Sequence, residues 1–155
     1  MARFLVISLF VVVFDQYTKI WIISNFQEYE VLQILPIFNL TLVFNSGAAF
    51  SFLADAGGWQ VYFLSFISIV VSCILLFWLL KLEKEDIKQA IGISLILGGA
   101  VGNLIDRLFY GKVTDFLQWH WGQYYFPSFN IADSAITLGV IFLILDIFLT
   151  SDQKK

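Results

Sequence analysis

Two aspartates, Asp115 in "VTDF" and Asp133 in "FNIADSAI", are the side chains of this sequence best suited to catalysis. Two carboxyl groups that share a poorly solvated site cannot both ionise easily, so one of them keeps its proton. Such a pair can hydrolyse an amide. The ionised member takes a proton from water, while the protonated member polarises the carbonyl and then helps to protonate the leaving amine. The spacing alone leaves open whether the two side chains meet.

Asp133 also has a structural interpretation. It lies a few residues inside the start of a long apolar run, where Asn130 could be the N-cap of a helix. Asp133 would then be an acidic residue in the first helical turn, a position that the helix dipole favours. Capping and catalysis both stay open for this residue.

Other polar residues interrupt apolar stretches. Asp15 and Lys19 lie four positions apart with the acid first, which favours an ion pair on one helix face. The segment "GGAVGNLIDR" contains Gly98 and Gly102, a small-xxx-small spacing that lets two helices approach closely. The ion pair could simply pack a helix bundle, or it could support a site.

The same segment places Asn103 and Arg107 on one helix face, with Asp106 nearby. These residues could form an interfacial salt bridge, or a clamp whose donors hold a peptide backbone or a carboxylate. "NSGAAFS", which begins at Asn45 and includes Gly47, could be a turn that leads into an interfacial helix. His120 lies between two tryptophans and is expected at the membrane interface rather than in catalysis.

The composition is that of a membrane protein. Of 155 residues, 59% are hydrophobic and only 14% are charged, more apolar surface than a soluble core of this size could bury. The net charge of −3 argues against nucleic-acid binding. The single cysteine, Cys73, excludes an internal disulfide, and a single histidine leaves little for a histidine-based metal centre.

Four hydrophobic stretches are long enough to cross a membrane, at about residues 3–23, 59–80, 87–109 and 131–150. Residues 38–45 alternate Phe38, Leu40, Leu42 and Phe44 against Asn39, Thr41, Val43 and Asn45, which predicts a half-buried strand. The aromatic segment 112–130 is also rich in strand-forming residues. We therefore predict a single domain over 1–155, an all-α membrane protein with four transmembrane helices, a small extracytoplasmic β-sheet and an interfacial helix.

Lysine and arginine residues predict the orientation. One side of the membrane has fewer of them, Arg107 and Lys112 with Lys19 near the end of the first span. The other side has Arg3, Lys81, Lys84, Lys88, Lys154 and Lys155. Both termini are therefore expected in the cytoplasm. In that topology nearly all the unusual polar residues lie at one depth, near the outer membrane boundary.

The motifs "DQYTK", "NSGAAFS", "GGAVGNLIDR", "VTDF" and "FNIADSAI" occur in an order that resembles the bacterial lipoprotein signal peptidases, or signal peptidase II. This resemblance implies an intramembrane aspartic peptidase of the bacterial inner membrane, with its active site near the periplasmic face. Such enzymes remove signal peptides from prolipoproteins after lipidation, just before the diacylglyceryl-cysteine. They need no metal or other cofactor, and globomycin-type inhibitors block them.

The resemblance also implies roles for individual residues. Asp115 and Asp133 would be the catalytic pair. Asp15, Lys19 and Asp106 would support the site. The substrate would be bound by Asn45, Gly47, Asn103, Arg107 and Asn130. The expected partners are lipidated prolipoproteins and membrane lipid, with no nucleic acid, and we expect a monomer.

Two other functions are less consistent with the sequence. A transporter with a proton relay needs ionisable groups staged across the bilayer, but the second span has none and the inner halves contain only Asp146. A metal-dependent lipid-modifying enzyme would favour closely spaced acids on one helix, such as D-x-x-D, together with ligating histidines, and neither pattern appears.

Overall fold

A computed structural model of the chain describes residues 1–47 and 57–152, with the side chains of the last four of these left out. Within those residues, four helices are long and apolar enough to cross a membrane. They are α1 (Leu5–Asn25, preceded by a short 3₁₀ turn), α2 (Trp59–Lys81), α3 (Ile87–Tyr110) and α4 (Ile131–Asp152). Each helix coincides with one of the hydrophobic stretches in the sequence.

Helix α3 is the central helix, since it contacts α1, α2 and α4. Its glycines allow close approach on two sides. A Cβ on Gly98 would lie 2.8 Å from the Cβ of Val11 on α1, and a Cβ on Gly99 would overlap the main-chain carbonyl of Ala132 on α4. The spacing of small residues therefore does bring helices together, with α1 and α4 on neighbouring faces of α3.

Two clusters of buried apolar side chains join the elements. One cluster ties α2 to the first half of α3 and includes Leu79 and Ile93, both fully buried. The other joins the end of α1 to the sheet through Ile22, Leu42 and Phe116. Most remaining apolar side chains of the helices are exposed, which suits a surface that faces lipid rather than water.

The extramembrane segments form a small antiparallel sheet. Its strands, in spatial order, are β1 (Val31–Leu35), β2 (Phe38–Asn45), β3 (Val113–Trp121) and β4 (Tyr124–Tyr125). β2 and β3 come from the two predicted strand segments, whereas β1 was not predicted. The four-helix membrane fold with a small sheet is therefore confirmed.

The predicted alternation along β2 is wrong beyond its first half. Leu40 pairs with Leu117 and Val43 with Asp115, so two β2 residues oppose the single residue Phe116. This β-bulge reverses which residues face which side of the sheet. Asn45 consequently shares a face with Phe38 rather than with Asn39.

The bulge is held by the segment before β1. The N–H of Tyr29 donates to the carbonyl of Leu42, 2.8 Å away, at the bulged position. Tyr29 has a φ of 66°, a left-handed conformation that a bulky residue rarely adopts. The predicted interfacial helix and the terminal lysines Lys154 and Lys155 lie outside the residues described.

Substitution of Gly99 tests the contact between α3 and α4. Gly99→Ala should lower the stability of the purified protein by roughly 1–3 kcal/mol, because its Cβ meets rigid main chain of α4. Thermal unfolding in detergent micelles measures the effect, and Gly99→Val should enlarge it. Leu108→Ala, at a lipid-facing position of the same helix, is the control and should change little. An unchanged midpoint for Gly99→Ala would contradict the close contact.

Candidate active site

The N-terminus of α4 is closed by a reciprocal pair of hydrogen bonds. The N–H of Asp133 donates to Oδ1 of Asn130 at 2.9 Å, and the N–H of Asn130 donates to Oδ2 of Asp133 at 3.2 Å. Asn130 precedes the first helical residue and Asp133 is the third, so together they form a capping box. The capping interpretation of Asp133 thus has a clear geometric basis.

Asn130 also connects Asp133 to Asp115. Its Nδ2 donates to Oδ1 of Asp115 at 2.7 Å, a short hydrogen bond between buried groups. The same nitrogen lies 3.2 Å from the carbonyl oxygen of Thr114. One asparagine side chain therefore caps α4 with its oxygen and holds the β3 aspartate with its nitrogen.

Asp115 lies on β3, in the part of the strand that follows the C-terminal end of α3. Its Oδ2 accepts a hydrogen bond from Nδ2 of Asn45, at 3.2 Å on the neighbouring strand. The bulge in β2 is what turns Asn45 to this face of the sheet. Asp115 thus receives amide donors from both β2 and the start of α4.

A buried ionic cluster lies directly behind this pair. Nζ of Lys19 is 2.8 Å from Oδ2 of Asp15 and 3.1 Å from Oδ2 of Asp106, so the predicted ion pair is present and includes a second acid. Oδ1 of Asp15 accepts the N–H of Ala132 at 2.9 Å, within the first turn of α4. Asp106 accepts the N–H of Thr114 at 2.9 Å. These contacts tie α1, α3, β3 and α4 together behind the two aspartates.

Asn103 joins the ionic cluster to Asp133. Its Oδ1 accepts a hydrogen bond from Nζ of Lys19 at 3.0 Å, and its Nδ2 donates to Oδ1 of Asp133 at 2.8 Å. Oδ1 of Asn103 also lies 3.2 Å from Nδ2 of Asn130. The amide of Asn103 therefore stands between the lysine and the carboxylate.

Gln16 and Thr114 contribute to this network and were not singled out in the sequence. Nε2 of Gln16 donates to Oδ1 of Asp106 at 2.9 Å and to the carbonyl of Gly102 at 3.1 Å. Thr114 contributes only main-chain groups, which a sequence does not reveal. Gln16 does stand beside Asp15 in "DQYTK", and a glutamine inside an apolar helix is a signal that could have identified it.

Arg107 lies at the edge of the cavity described below and contacts the segment after β2. Its Nη2 donates to the carbonyl of Gly47 at 3.2 Å, and its Nη1 reaches the carbonyl of Asn103 at 3.4 Å. Nε of Arg107 is shielded from solvent and has no hydrogen-bond partner among residues 1–47 and 57–152. The N–H of Gly47 donates to Oδ1 of Asn45 at 2.9 Å. Part of the guanidinium is thus held by carbonyls of the protein, and Nε has no partner in the described part of the chain.

A cavity of about 940 Å³ lies in front of the two aspartates. Asp115, Asp133, Asn103, Asn45 and Arg107 provide most of its polar wall. Apolar residues line the rest, including Ile67 and Val71 of α2, Ile136 and Leu138 of α4, and Phe38, Trp119 and Phe126 of the sheet region. The cavity therefore extends from the aspartates down between α2 and α4, where the surrounding surface is apolar.

Burial, together with the negative charge of nearby Asp133, raises the pKa of the Asp115 carboxyl from its usual 3.8 to about 7. Hydrogen bonds from Asn45 and Asn130, together with the charge of Lys19, act in the opposite direction. Near neutral pH, Asp115 consequently exists in both its protonated and its ionised form.

The structure brings ten sequence-predicted residues into one connected region. Asp115 and Asp133 line the cavity, the five predicted binding residues lie around them, and Asp15, Lys19 and Asp106 lie behind. His120 is elsewhere, stacked on the ring of Tyr125 with centroids 5.3 Å apart. Cys73 is exposed on α2. Asp146 lies toward the other end of α4, where it accepts a hydrogen bond from Gln89 at 3.0 Å.

Comparison with known proteins decides the family. Residues 7–149 match the family described as Signal peptidase (SPase) II. The chain belongs to the signal peptidase II family. The lipoprotein signal peptidase of Shewanella halifaxensis is 51% identical over 146 residues, which cover 94% of this chain and 86% of that protein. The lipoprotein signal peptidase of Acinetobacter baumannii strain SDF is 49% identical over 149 residues, or 96% and 84% of the two chains.

Solved structures agree with this membership. A bacterial membrane enzyme determined by the in meso method at 2.3 Å resolution superimposes with a TM-score of 0.89 at 34% identity, covering 100% of this chain and 93% of that one. A second, at 1.9 Å resolution, gives a TM-score of 0.82 at 34% identity, over 95% and 93% of the two chains. This signal peptidase II is therefore a peptidase built on four membrane-spanning helices.

Substitution of Asn130 separates its two contacts. Asn130→Ser keeps a good N-cap acceptor but is too short to reach Asp115, whereas Asn130→Ala lacks both functions. We expect Asn130→Ser to keep the capped helix start but to lose roughly 1–3 kcal/mol of stability, because the buried Oδ1 of Asp115 loses this donor, while peptidase activity falls roughly ten- to a hundredfold. Asn130→Ala should lose a further ~1 kcal/mol of stability. Equal activity in the serine variant and the wild type would mean that the contact with Asp115 is dispensable.

Proposed function

We propose that this signal peptidase II is an aspartic endopeptidase in which Asp115 and Asp133 are the catalytic pair. The observation that carries the proposal is that both carboxyl groups line one cavity and share Asn130 as a hydrogen-bond partner. Aspartic hydrolysis requires this arrangement, because the two groups must act on one water molecule and one carbonyl.

The surroundings of the two aspartates support different roles. Asp133 accepts a main-chain N–H and an amide N–H, and it lies at the positive end of the α4 dipole, conditions that favour a carboxylate. Asp115 is buried in a strand, and its pKa of about 7 favours a proton. In our proposal Asp133 removes a proton from the attacking water. Asp115 gives its proton to the carbonyl oxygen as the tetrahedral gem-diol forms. When the C–N bond breaks, the proton that Asp133 took from water passes to the leaving amine, and a gem-diol hydroxyl returns a proton to Asp115.

The other polar residues of the cavity wall would bind the peptide. Arg107 lines the cavity, and its guanidinium, fixed by the carbonyls of Gly47 and Asn103, would donate to a substrate carbonyl. Asn45 and Asn130 hold Asp115, and Asn103 holds Asp133, so their amides fix both carboxyls while the scissile bond is bound. No metal has a role in this mechanism.

The substrates we propose are lipidated prolipoproteins, cleaved before their diacylglyceryl-cysteine. The printed names of the relatives, lipoprotein signal peptidases, support this class of substrate. The cavity supports it independently, because its apolar part between α2 and α4 gives a membrane-embedded signal peptide lateral access to the aspartates. Globomycin-type inhibitors would occupy the same cavity.

We further propose a multi-pass protein of the bacterial inner membrane, a single domain that acts as a monomer. The distribution of lysine and arginine supports cytoplasmic termini, and the site then faces the periplasm. The aspartate pair lies at the outer end of the helices beside an aromatic sheet, a composition typical of the membrane–water boundary.

Replacement of either aspartate tests the pair. Asp115→Asn and Asp133→Asn should each reduce cleavage of a lipidated prolipoprotein by roughly 10²- to 10⁴-fold, since each removes one proton-transfer group. Asp146→Asn, on the same helix as Asp133 but bonded to Gln89 at its other end, is the matched control and should keep wild-type activity. Gel-shift assays of purified enzyme in micelles, with EDTA added in parallel, measure the outcome. Substantial turnover by either variant would sink the proposal, and inhibition by EDTA would favour a metal enzyme.

The pH dependence tests the assignment of the proton. If Asp115 is the acid, kcat should fall as the pH rises through about 7, because the carboxyl then loses its proton. The same pKa has a consequence for stability. It lies above the unfolded value, so folding takes up a proton, and Asp115 contributes less to stability as the pH rises from about 4 to 7. Measurements of kcat from pH 5 to 9 check this alkaline limb of the pH–rate profile. A kcat that keeps rising to pH 9 would mean that Asp115 is not the acid.

A further inference from the structure

The side chain of Lys19, like that of Arg107, can only donate hydrogen bonds, and Lys19 donates to the side chain of Asn103. Its ammonium group has three protons and three acceptors, on Asp15, Asp106 and Asn103. An ammonium group offers no lone pair, so the atom of Asn103 that faces it has to be Oδ1. Nδ2 of Asn103 then has to face Asp133.

The same constraint continues to the second aspartate. Oδ1 of Asn103 also accepts from Nδ2 of Asn130, so that nitrogen, rather than the oxygen, is the end of the Asn130 amide beside Asp115. The main-chain N–H of Asp133 fixes Asn130 in the same sense from the other end. Both aspartates consequently face amide N–H donors. The orientation of these amides is set by Lys19, and a substitution of Lys19 can test it.

We infer that Lys19 is a positioning residue for the aspartate pair: through Asn103 it fixes the direction of the hydrogen bonds that reach Asp133 and Asp115. This inference rests on the proposed aspartic mechanism. Lys19 does not line the cavity, so it acts on the two carboxyls without contact with the substrate. Its ion pairs with Asp15 and Asp106 hold the ammonium group in position. Its third proton is donated to Oδ1 of Asn103 and so orients that amide.

The charged groups around the pair are few within residues 1–47 and 57–152. Asp15 and Lys19 face it from α1, and Asp106 and Arg107 face it from α3. Helix α2 presents only apolar and hydroxyl side chains to the cavity, and the β2 residues on its wall are Phe38 and Asn45. Loss of the Lys19 charge would therefore raise the pKa of Asp115, because that positive charge now lowers it.

Lys19→Met tests the inference, since methionine has a similar length and no donor. We expect kcat to fall on the order of tenfold with KM nearly unchanged, because Asn103 loses the charge-assisted bond that orients it. The alkaline limb of the pH–rate profile should move to higher pH by on the order of one unit, as removal of a nearby positive charge requires. Lys19→Gln, whose amide can still donate hydrogen bonds toward the two acids, should be less destabilised than Lys19→Met and should move the limb in the same direction.

Gln16→Leu is the matched control. Gln16 lies on the same helix and bonds the same two acids as Lys19, at 3.2 Å from Asp15 and 2.9 Å from Asp106, but it does not contact Asn103. A residue that only supports helix packing should resemble this control. We expect Gln16→Leu to lower the unfolding temperature without moving the alkaline limb.

Three outcomes overturn the inference: a Lys19→Gln limb at the wild-type pH, a rise in KM with constant kcat, or an equal limb shift in Gln16→Leu. Failure of the aspartic mechanism is recognised separately, because Asp115→Asn or Asp133→Asn would then keep activity. If those two variants are inactive while Lys19→Gln and Lys19→Met keep the wild-type limb, the catalytic pair stands and Lys19 is only structural.

Discussion

The structure around the cavity depends on one electrostatic constraint, the need to keep several carboxyl groups together beside lipid. An unpaired charge there is costly, and removal of one partner from a buried pair leaves the other uncompensated. Lys19 and Arg107 are the cations next to this cluster in the described part of the chain. The remaining hydrogen bonds come from neutral amides and main-chain N–H groups. The carboxyl groups concerned are Asp15, Asp106, Asp115 and Asp133.

This constraint also determines how the helices pack. A Cβ on Gly102 would lie 2.7 Å from Oδ2 of Asp15, so the absence of a side chain on α3 makes room for the carboxylate of α1. Asp15 can then reach the N–H of Ala132 on α4. Helix contacts that look like simple close packing therefore serve to bring donors and acceptors within bonding distance. Helix α2 has no acidic residue within its span and takes no part in these polar contacts. It packs on α3 and borders the apolar part of the cavity instead.

Local sequence patterns predicted the features that depend on residues close together in the chain. Hydrophobic length gave the four helices, the spacing of Asp15 and Lys19 gave an ion pair, and the order of Asn130 and Asp133 gave a capped helix start. Contacts between elements were beyond such patterns. The bulge in β2 reversed the predicted alternation because register depends on the partner strand, and it is this reversal that turns Asn45 toward Asp115.

The resemblance to a family supplied the residue roles that spacing could not. Even so, it gave no reason for Gln16 or for the main chain of Thr114, which were found only from contacts across elements. A side chain whose function is to satisfy another buried group leaves no periodic signal in the sequence. Such residues become visible only when every buried polar atom is matched with its partner.

The two aspartates differ because they are mounted on different secondary structure. Asp133 belongs to the first turn of a helix, where free N–H groups and the dipole favour a negative charge. Asp115 belongs to a strand whose main-chain groups are engaged in the sheet, so hydrogen bonds from the side chains of Asn45 and Asn130 compensate its burial instead. Capping and catalysis are therefore not competing explanations of Asp133. The contacts that close the helix also favour the ionised form of its carboxyl, which in the mechanism we propose acts beside a partner that carries the proton.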